Sequence, residues 1–175
     1  TGRVVSFTFK TASVVDELGR NVQDLRRTIA GDAVFQCFIR HPGVAELALA
    51  HTRWASVGSI TVENCHPVNN FLPSAPAAGQ ARTYPRYGRT GGSISVVLNG
   101  DIDNYPALRE ALEARGETLA AEVTTDTKII PVEIERGLRA GDDLTEAFRK
   151  AVAGFEGSHA VAMTARPARR ARRKS

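Results

Sequence analysis

The chain has 175 residues, of which 42% are hydrophobic and 24% charged, proportions typical of a single globular domain. No apolar run reaches the roughly 20 residues that span a bilayer, and no leader of signal-peptide type begins the chain, so we expect a cytoplasmic protein. The net charge is +4, but six of the 23 basic side chains lie in residues 166 to 175, which leaves 17 basic against 19 acidic side chains elsewhere. We expect residues 165 to 175 to be a disordered basic tail, the only part suited to nucleic-acid phosphates.

The first half of the chain predicts two strands separated by a helix. Residues 3 to 10 alternate between apolar and polar side chains, which predicts a strand with one buried face. A helical stripe follows from Asn21. Residues 45 to 51 are apolar on both faces and predict a short buried strand. Residues 66 to 92 contain four prolines and several glycines, which indicates a long loop.

The second half predicts strands that alternate with helices. Residues 93 to 98 predict a buried strand that runs into an Asn99-Gly100 turn. Three helices are predicted, the first capped by Asp103 or Asn104 and the others beginning near Asp126 and Leu144. The last strand is predicted over residues 158 to 164. This pattern favours an α/β or α+β fold with a central layer of sheet.

Three places along the chain offer groups that suit a small polar ligand. The guanidinium of Arg53 can clamp a carboxylate with two parallel hydrogen bonds, or it pairs with a structural acid. Asn99 and Gly100 offer a carboxamide and an unhindered main-chain N–H, which are the donors of an oxyanion hole, or they form a plain turn. Asp126 can hold an ammonium group, cap a helix, or do both.

The cysteines and histidines form no recognisable catalytic or metal-binding pattern. Cys37 and Cys65 have no zinc-site spacing, and we expect them to be reduced structural thiols. Cys65 and His66 are adjacent, so on a strand their side chains point to opposite faces and are poorly placed as a nucleophile and its base. His41, His51 and His159 are scattered along the chain. We expect neither a metal nor a cofactor.

The order of several short segments is more informative than any one of them. These segments are His51-Thr52-Arg53-Trp54-Ala55, Asn64-Cys65-His66-Pro67, Asn99-Gly100, Tyr105-Pro106-Ala107-Leu108-Arg109, Thr125-Asp126-Thr127 and Phe155-Glu156-Gly157-Ser158-His159-Ala160. Together they resemble the glutaminase domain of class II glutamine amidotransferases, in particular the glucosamine-6-phosphate synthase (glutamine–fructose-6-phosphate transaminase) family. The resemblance covers roughly residues 45 to 163. Residues 4 to 25 are also similar to large actinobacterial members that join such a domain to sugar-isomerase (SIS) domains.

The resemblance implies a fold and a set of site residues. The fold would be α+β, an αββα sandwich of the N-terminal-nucleophile type with two antiparallel sheets between helices, here lacking its first strand. Residues 1 to 164 would be a partial glutamine amidotransferase domain. Arg53, with Ser56 nearby, would bind the α-carboxylate of glutamine. Asp126 would bind the α-ammonium with help from the main chain at Gly100, and Asn99 with the Gly100 N–H would form the oxyanion hole.

The chain also departs from the family pattern. Val57 and Leu98 stand where histidines are common in the synthases, and Asp101 stands where an apolar residue is usual. The family attacks glutamine with an N-terminal cysteine, whereas this chain begins with Thr1. Two functions therefore stay open: a glutaminase part that releases ammonia for a sugar phosphate of the fructose-6-phosphate type held by an SIS domain, or an inactive glutamine-binding fragment. We expect no turnover of glutamine by these 175 residues alone.

Overall fold

The structure, a computed structural model, describes residues 4–12, 19–44, 47–72 and 92–166. Within these ranges the fold is α+β, with five helices and three strands. The helices are α1 (Arg20–Gly31), α2 (Ala33–Ile39), α3 (Tyr105–Ala114), α4 (Ile129–Ala140) and α5 (Leu144–Ala153). The strands are β1 (Val68–Asn69), β2 (Ser93–Gly100) and β3 (His159–Arg166), and short 3₁₀ helices lie at Val62–Asn64 and Asp126–Lys128.

β2 is the central strand of one antiparallel sheet in the order β1-β2-β3. β3 pairs along the whole of β2, up to Gly100 opposite His159, whereas β1 contributes only two residues. Because the pairing continues to the end of β2, Asn99 and Gly100 are its last two residues, and the turn predicted there is wrong. The described residues form one sheet, whereas the sequence resemblance implied two.

The core lies between this sheet and the helices. α4 packs against β2, α3 and α5. Its residues Ile129, Ile130 and Ile134 are fully buried in this core. α4 and α5 approach closely at Gly137, where an added Cβ would lie 2.8 Å from the Cβ of Ala147. This packing fixes α4 on the sheet, and the short 3₁₀ helix that leads into α4 therefore contacts β2.

Local signals set most helix boundaries. α5 begins after Asp143, whose carboxylate accepts a hydrogen bond from the Glu146 N–H (2.9 Å), and it ends at Gly154 as predicted. α3 begins after Asn104, but this side chain does not cap the helix. Its amide donates to the Gly154 carbonyl and accepts from the Glu156 N–H instead, which ties the start of α3 to the segment that enters β3.

Two predicted strands are wrong where the structure describes them. Residues 4–10 and 47–51 have no regular secondary structure, and no strand of the described chain pairs with either segment. Leu47 is 83% exposed, so the second segment is not buried there either. A segment with β-propensity forms a strand only when another strand pairs with it, so the pattern of apolar residues alone does not predict a strand here. Aromatic rings hold the first segment against α2, through contacts among Phe7, Phe9, Phe35 and Phe38.

Parts of the predictions fall outside the described residues. These parts are residues 1–3, residues 13–18, residues 45–46 of the second predicted strand, residues 73–91 of the predicted loop, and residues 167–175 of the predicted tail. Ala165 and Arg166, which were predicted to belong to the disordered tail, are instead the last two residues of β3. Among the described helices, none has the length and apolar character needed to cross a membrane.

Candidate functional site

Three segments that carry the predicted binding residues meet at the end of β2. They are the 53–59 loop (residues 53 to 59), the end of β2 with the residues that follow it (residues 99 to 102), and the 124–126 segment (residues 124 to 126). The Ser56 hydroxyl donates to the carboxylate of Asp101. The carboxylate of Asp126 accepts from the main-chain N–H of Ile102 (2.9 Å). These contacts join segments that lie far apart in the sequence.

Arg53, the first residue of the 53–59 loop, stabilises the conformation of this loop. Its guanidinium donates to the main-chain carbonyls of Val57 and Ser59, the latter at 3.4 Å, and so closes the loop on itself. In the part of the chain that the structure describes, Arg53 forms no ion pair with an acidic side chain. Because a guanidinium has five N–H donors, this loop contact leaves donors for a ligand carboxylate.

The main chain of the 53–59 loop lies directly against the 124–126 segment. Gly58 has a φ of 85°, and a Cβ at this position would lie 2.8 Å from the Thr125 nitrogen, so a larger residue does not fit. The Ser59 N–H donates to the hydroxyl of Thr124 (3.1 Å). The loop is therefore held at a fixed distance from Asp126.

Asp126 is buried, with 4% of its surface exposed. One carboxylate oxygen accepts from the Ile102 N–H, and the other accepts from the Thr127 N–H at 2.7 Å. The side chain therefore joins the start of α4 to the end of β2. The oxygen bonded to Thr127 also lies 3.4 and 3.3 Å from the hydroxyls of Thr125 and Thr127, so it is fully used. The other oxygen accepts only from Ile102, and its second acceptor position is available to a ligand ammonium group.

Asn99 and Gly100 lie at the open end of β2. Asn99 is exposed, and its carboxamide forms no hydrogen bond within the described ranges. Gly100 has a φ of 117°, and an added Cβ would lie 1.9 Å from the carbonyl oxygen of Ser158. Glycine is therefore the residue that allows β3 to approach this closely.

Asn64 organises the site, although the sequence assigned it no role. Its side chain is completely buried between the 53–59 loop and the 124–126 segment. Its Oδ1 accepts from the N–H groups of Thr124 and Thr125, at 2.8 and 2.9 Å. Its Nδ2 donates to the hydroxyls of Ser59 and Thr61, at 2.9 and 3.0 Å. Only its position within Asn64-Cys65-His66-Pro67 offered a signal.

His66 forms a second buried connection. Its Nδ1 lies 3.0 Å from Nδ1 of His51, and its Nε2 lies 2.8 Å from the Thr127 hydroxyl. The Leu98 N–H also donates weakly to Nδ1 at 3.5 Å, so this nitrogen is an acceptor and the ring proton lies on Nε2. Burial, and then the neighbouring His51, lower the pKa of His66 to about 4, which keeps the ring neutral. His51 looked isolated in the sequence, but in the structure it pairs with His66.

Cys65 directly follows the 3₁₀ helix Val62–Asn64 and does not lie on a strand, so the strand geometry that was predicted to separate it from His66 does not apply. Its thiol donates to the Thr11 carbonyl at 3.2 Å. Burial raises the pKa of the Cys65 thiol above its usual value, which disfavours the nucleophilic thiolate. In the described ranges, no group of three His, Cys, Asp or Glu side chains is arranged to hold a metal ion.

Lys128 connects the residues that follow the 124–126 segment to the chain at β1. Its ammonium group donates to the main-chain carbonyls of Asn69 and Phe71, at 2.5 and 2.8 Å. Burial and the nearby Lys10 lower the pKa of Lys128 to about 7. Both lysines line a cavity of about 220 Å³. The contacts to two carbonyls make Lys128 a link between β1 and the start of α4.

A family model and the related sequences both point to glutamine amidotransferases. Residues 80–172 match the family model described as a glutamine amidotransferase domain. Over 113 residues the chain is 39% identical to the glutamine–fructose-6-phosphate aminotransferase [isomerizing] of Sulfurisphaera tokodaii, covering 65% of this chain and 16% of the relative. Over 153 residues it is 29% identical to the enzyme of the same name from Thermus thermophilus, covering 87% of this chain and 22% of the relative. The chain thus spans less than a quarter of the length of these relatives.

A solved structure also matches part of the chain. It is the glutamine phosphoribosylpyrophosphate amidotransferase of B. subtilis, complexed with ADP and GMP. The match has a TM-score of 0.48 and 19% sequence identity, and it covers 65% of this chain and 20% of that chain.

Proposed function

The chain belongs to the glutamine amidotransferase domain family, whose model covers more than half of it, and we propose that the site at the end of β2 binds L-glutamine and polarises its side-chain amide. The observation that supports this most directly is the meeting of the 53–59 loop, residues 99 to 102 and the 124–126 segment. This meeting brings together the three segments that carry the groups proposed for each part of a glutamine molecule.

The two ends of the amino-acid moiety differ in charge, and so do the groups offered to them. Arg53 and the hydroxyl of Ser56 would hold the α-carboxylate, because a guanidinium can form two parallel bonds to it. Asp126 would hold the α-ammonium with help from the main chain at Gly100. Burial makes this carboxylate a stronger partner for a cation than an exposed one would be.

The side-chain amide would meet Asn99 and Gly100. When a nucleophile attacks the amide carbon, the carbonyl oxygen gains negative charge, and the carboxamide N–H of Asn99 and the main-chain N–H of Gly100 would stabilise it. One such donor typically contributes about 3–4 kcal/mol to the transition state. Collapse of the tetrahedral intermediate, with a proton transferred to the leaving nitrogen, would release ammonia and leave the glutamyl group on the nucleophile. Water would then free it as glutamate.

The finer features of the family are part of the same proposal. They are the two-sheet αββα sandwich with an N-terminal nucleophile, the cytoplasmic location, and the use of ammonia on a sugar phosphate of the fructose-6-phosphate type. The S. tokodaii and T. thermophilus relatives support the last feature by their names, over 16% and 22% of their lengths.

A second candidate function is glutamine binding without turnover. The surroundings of Cys65 favour it: the thiol donates to the Thr11 carbonyl, and its pKa is raised by burial. This cysteine is therefore unsuited to be the attacking group at the site. Binding and turnover can be separated because they need different groups.

The test is a titration of the full chain with L-glutamine by calorimetry, with ammonia release measured in parallel. We expect saturable binding that Arg53→Ala weakens by about tenfold or more, since a carboxylate clamp is lost. Arg40→Ala is the control, because Arg40 is an exposed residue that follows α2. Absence of saturable binding by the folded chain would refute the proposal. Ammonia release that disappears in Asn99→Ala would support turnover over binding alone.

A further inference from the structure

We propose that Asn64 is a positioning residue of the glutamine site, which sets the separation between the 53–59 loop and the 124–126 segment. This inference rests on the proposed function, because the loop would hold the carboxylate end of glutamine and the segment its ammonium end. Asn64 belongs to neither part. It acts through the residues that it contacts.

The orientation of the Asn64 amide follows from its partners. Main-chain N–H groups can only donate, so the amide oxygen must face Thr124 and Thr125. The amide nitrogen consequently faces Ser59 and Thr61. It also lies 3.1 Å from the carbonyl oxygen of Glu122, an additional acceptor in the turn before Thr124. One planar group of fixed size thus spans the gap between the two parts of the site.

Each side of the amide leads in one step to a proposed ligand group. Ser59, which accepts from the amide nitrogen through its hydroxyl, also accepts from Arg53 through its carbonyl. Thr125, which donates to the amide oxygen, directly precedes Asp126. A change at Asn64 therefore shifts Arg53 and Asp126 relative to each other. Binding sites tolerate shifts of only about 0.5 Å before affinity falls.

The ligand test compares L-glutamine with two analogues that can engage only one end of the site. Glutaramate lacks the α-ammonium, and γ-aminobutyramide lacks the α-carboxylate. We expect Asn64→Ala to weaken L-glutamine about tenfold or more in NMR titrations, and to change the affinity of either analogue by less than about twofold. The reason is that the affinity of a ligand held at one end does not depend on the separation between the 53–59 loop and the 124–126 segment.

The matched control is Asn70→Ala. Asn70 is also a buried asparagine, 1% exposed, and its Oδ1 accepts from the main-chain N–H of Ile94 at 2.9 Å. It supports the β1–β2 pair instead of the site. We expect this variant to be destabilised but to keep the wild-type order of affinities for the three ligands. Equal weakening of all three ligands by Asn64→Ala, or the same pattern in Asn70→Ala, overturns the proposal.

A second measurement needs no ligand. In amide hydrogen exchange of the Asn64→Ala chain, we expect Ser59, Thr124 and Thr125 to lose protection, while Ile102, whose N–H is held by Asp126, keeps it. If the wild-type chain binds no glutamine, only the proposed function is refuted. If the Ser59 N–H keeps its protection in the Asn64→Ala chain, the positioning role of Asn64 is refuted, whether or not glutamine binds.

If Asn64→Ala does not fold, Asn64→Asp replaces it in both measurements. Its carboxylate still accepts from Thr124 and Thr125 but is repelled by the Glu122 carbonyl, so the separation changes while the buried N–H groups stay bonded. We expect a loss of about threefold or more in L-glutamine affinity, with the analogues unchanged. Unchanged affinity for L-glutamine in this variant overturns the proposal.

Discussion

The carboxylate of Asp126 accepts a hydrogen bond from the main-chain N–H of Ile102 at 2.9 Å, and this contact joins the start of α4 to the end of β2. The second oxygen of the same carboxylate accepts from the Thr127 N–H. Asp126 therefore stabilises the joint on which the proposed glutamine site is built. The proposed ammonium contact would use the remaining acceptor position of the oxygen that accepts from Ile102.

The first prediction follows from this double contact. Asp126→Ala leaves two buried N–H groups without their charged acceptor, so we expect the free energy of unfolding to fall by about 2–4 kcal/mol in urea denaturation. Asp103→Ala is the control, because Asp103 is exposed, and it should change stability by less than about 0.5 kcal/mol. Equal unfolding midpoints for the two variants would contradict a structural role of Asp126.

The second prediction concerns Asp101, which accepts from the Ser56 hydroxyl. Its negative charge lies next to the group proposed to bind the carboxylate of glutamine. Asp101→Asn keeps an acceptor for Ser56 and removes the charge, so we expect L-glutamine to bind about threefold to tenfold more tightly, a gain of about 1 kcal/mol. γ-Aminobutyramide, which has no carboxylate, should show no gain.

Ionic strength provides the control for this charge effect. The gain should shrink in 1 M NaCl, where the screening length is about 3 Å. Asp103→Asn, which removes a nearby exposed charge, should give a smaller gain than Asp101→Asn. A gain that does not depend on salt would argue for a steric cause.

The sequence predicted those elements whose signals are local. α5 was predicted because its apolar stripe, the preceding Asp143 and the following Gly154 all lie within one short stretch. The strand over residues 3 to 10 was wrong because alternation describes one strand and gives no information about a partner. The Asn99-Gly100 turn was wrong for the same reason, since pairing with β3 extends β2 through both residues.

The candidate site was predictable in its chemistry but not in its connections. Arg53 and Asp126 could be predicted as binding residues because few side chains bind a carboxylate or an ammonium group, and these roles stay predictions. Asn64 was not, since three of its five side-chain hydrogen bonds join residues 58 to 61 positions away in the sequence, and an asparagine has many ordinary roles. The pairing of His51 with His66 likewise depends on the fold that brings them together.

The third prediction is a loss of stability at acid pH that depends on His66. Burial and the neighbouring His51, with Arg53 and Lys10 further away, lower the pKa of folded His66 to about 4 from an unfolded value of 6.5. The unfolded chain therefore binds a proton first as the pH falls through 6.5, and folding stability is lost between pH 6.5 and 4. Between pH 7.5 and 5 we expect a loss of about 2 kcal/mol from this group.

Urea denaturation at both pH values measures this dependence. In His66→Gln the loss between pH 7.5 and 5 should be smaller by most of that amount, even though the variant is less stable at pH 7.5. His41→Gln serves as the control, because His41 is exposed, and it should keep the wild-type dependence. The attribution to His66 is wrong if both variants lose stability equally on acidification.

The fourth prediction compares two glycines with positive φ. An added Cβ at Gly100 would lie 1.9 Å from the Ser158 carbonyl oxygen, so β3 must move before any side chain fits. Gly116 has a φ of 76° but open space around it, so alanine there meets only the conformational cost of about 1–2 kcal/mol. We expect Gly100→Ala to lower the free energy of unfolding by about 3 kcal/mol or more, or to prevent folding, because strain and overlap add. Urea denaturation of both variants measures the difference. Similar midpoints would mean that the start of β3 is free to move, and the proposed oxyanion site would then lack a fixed main-chain donor.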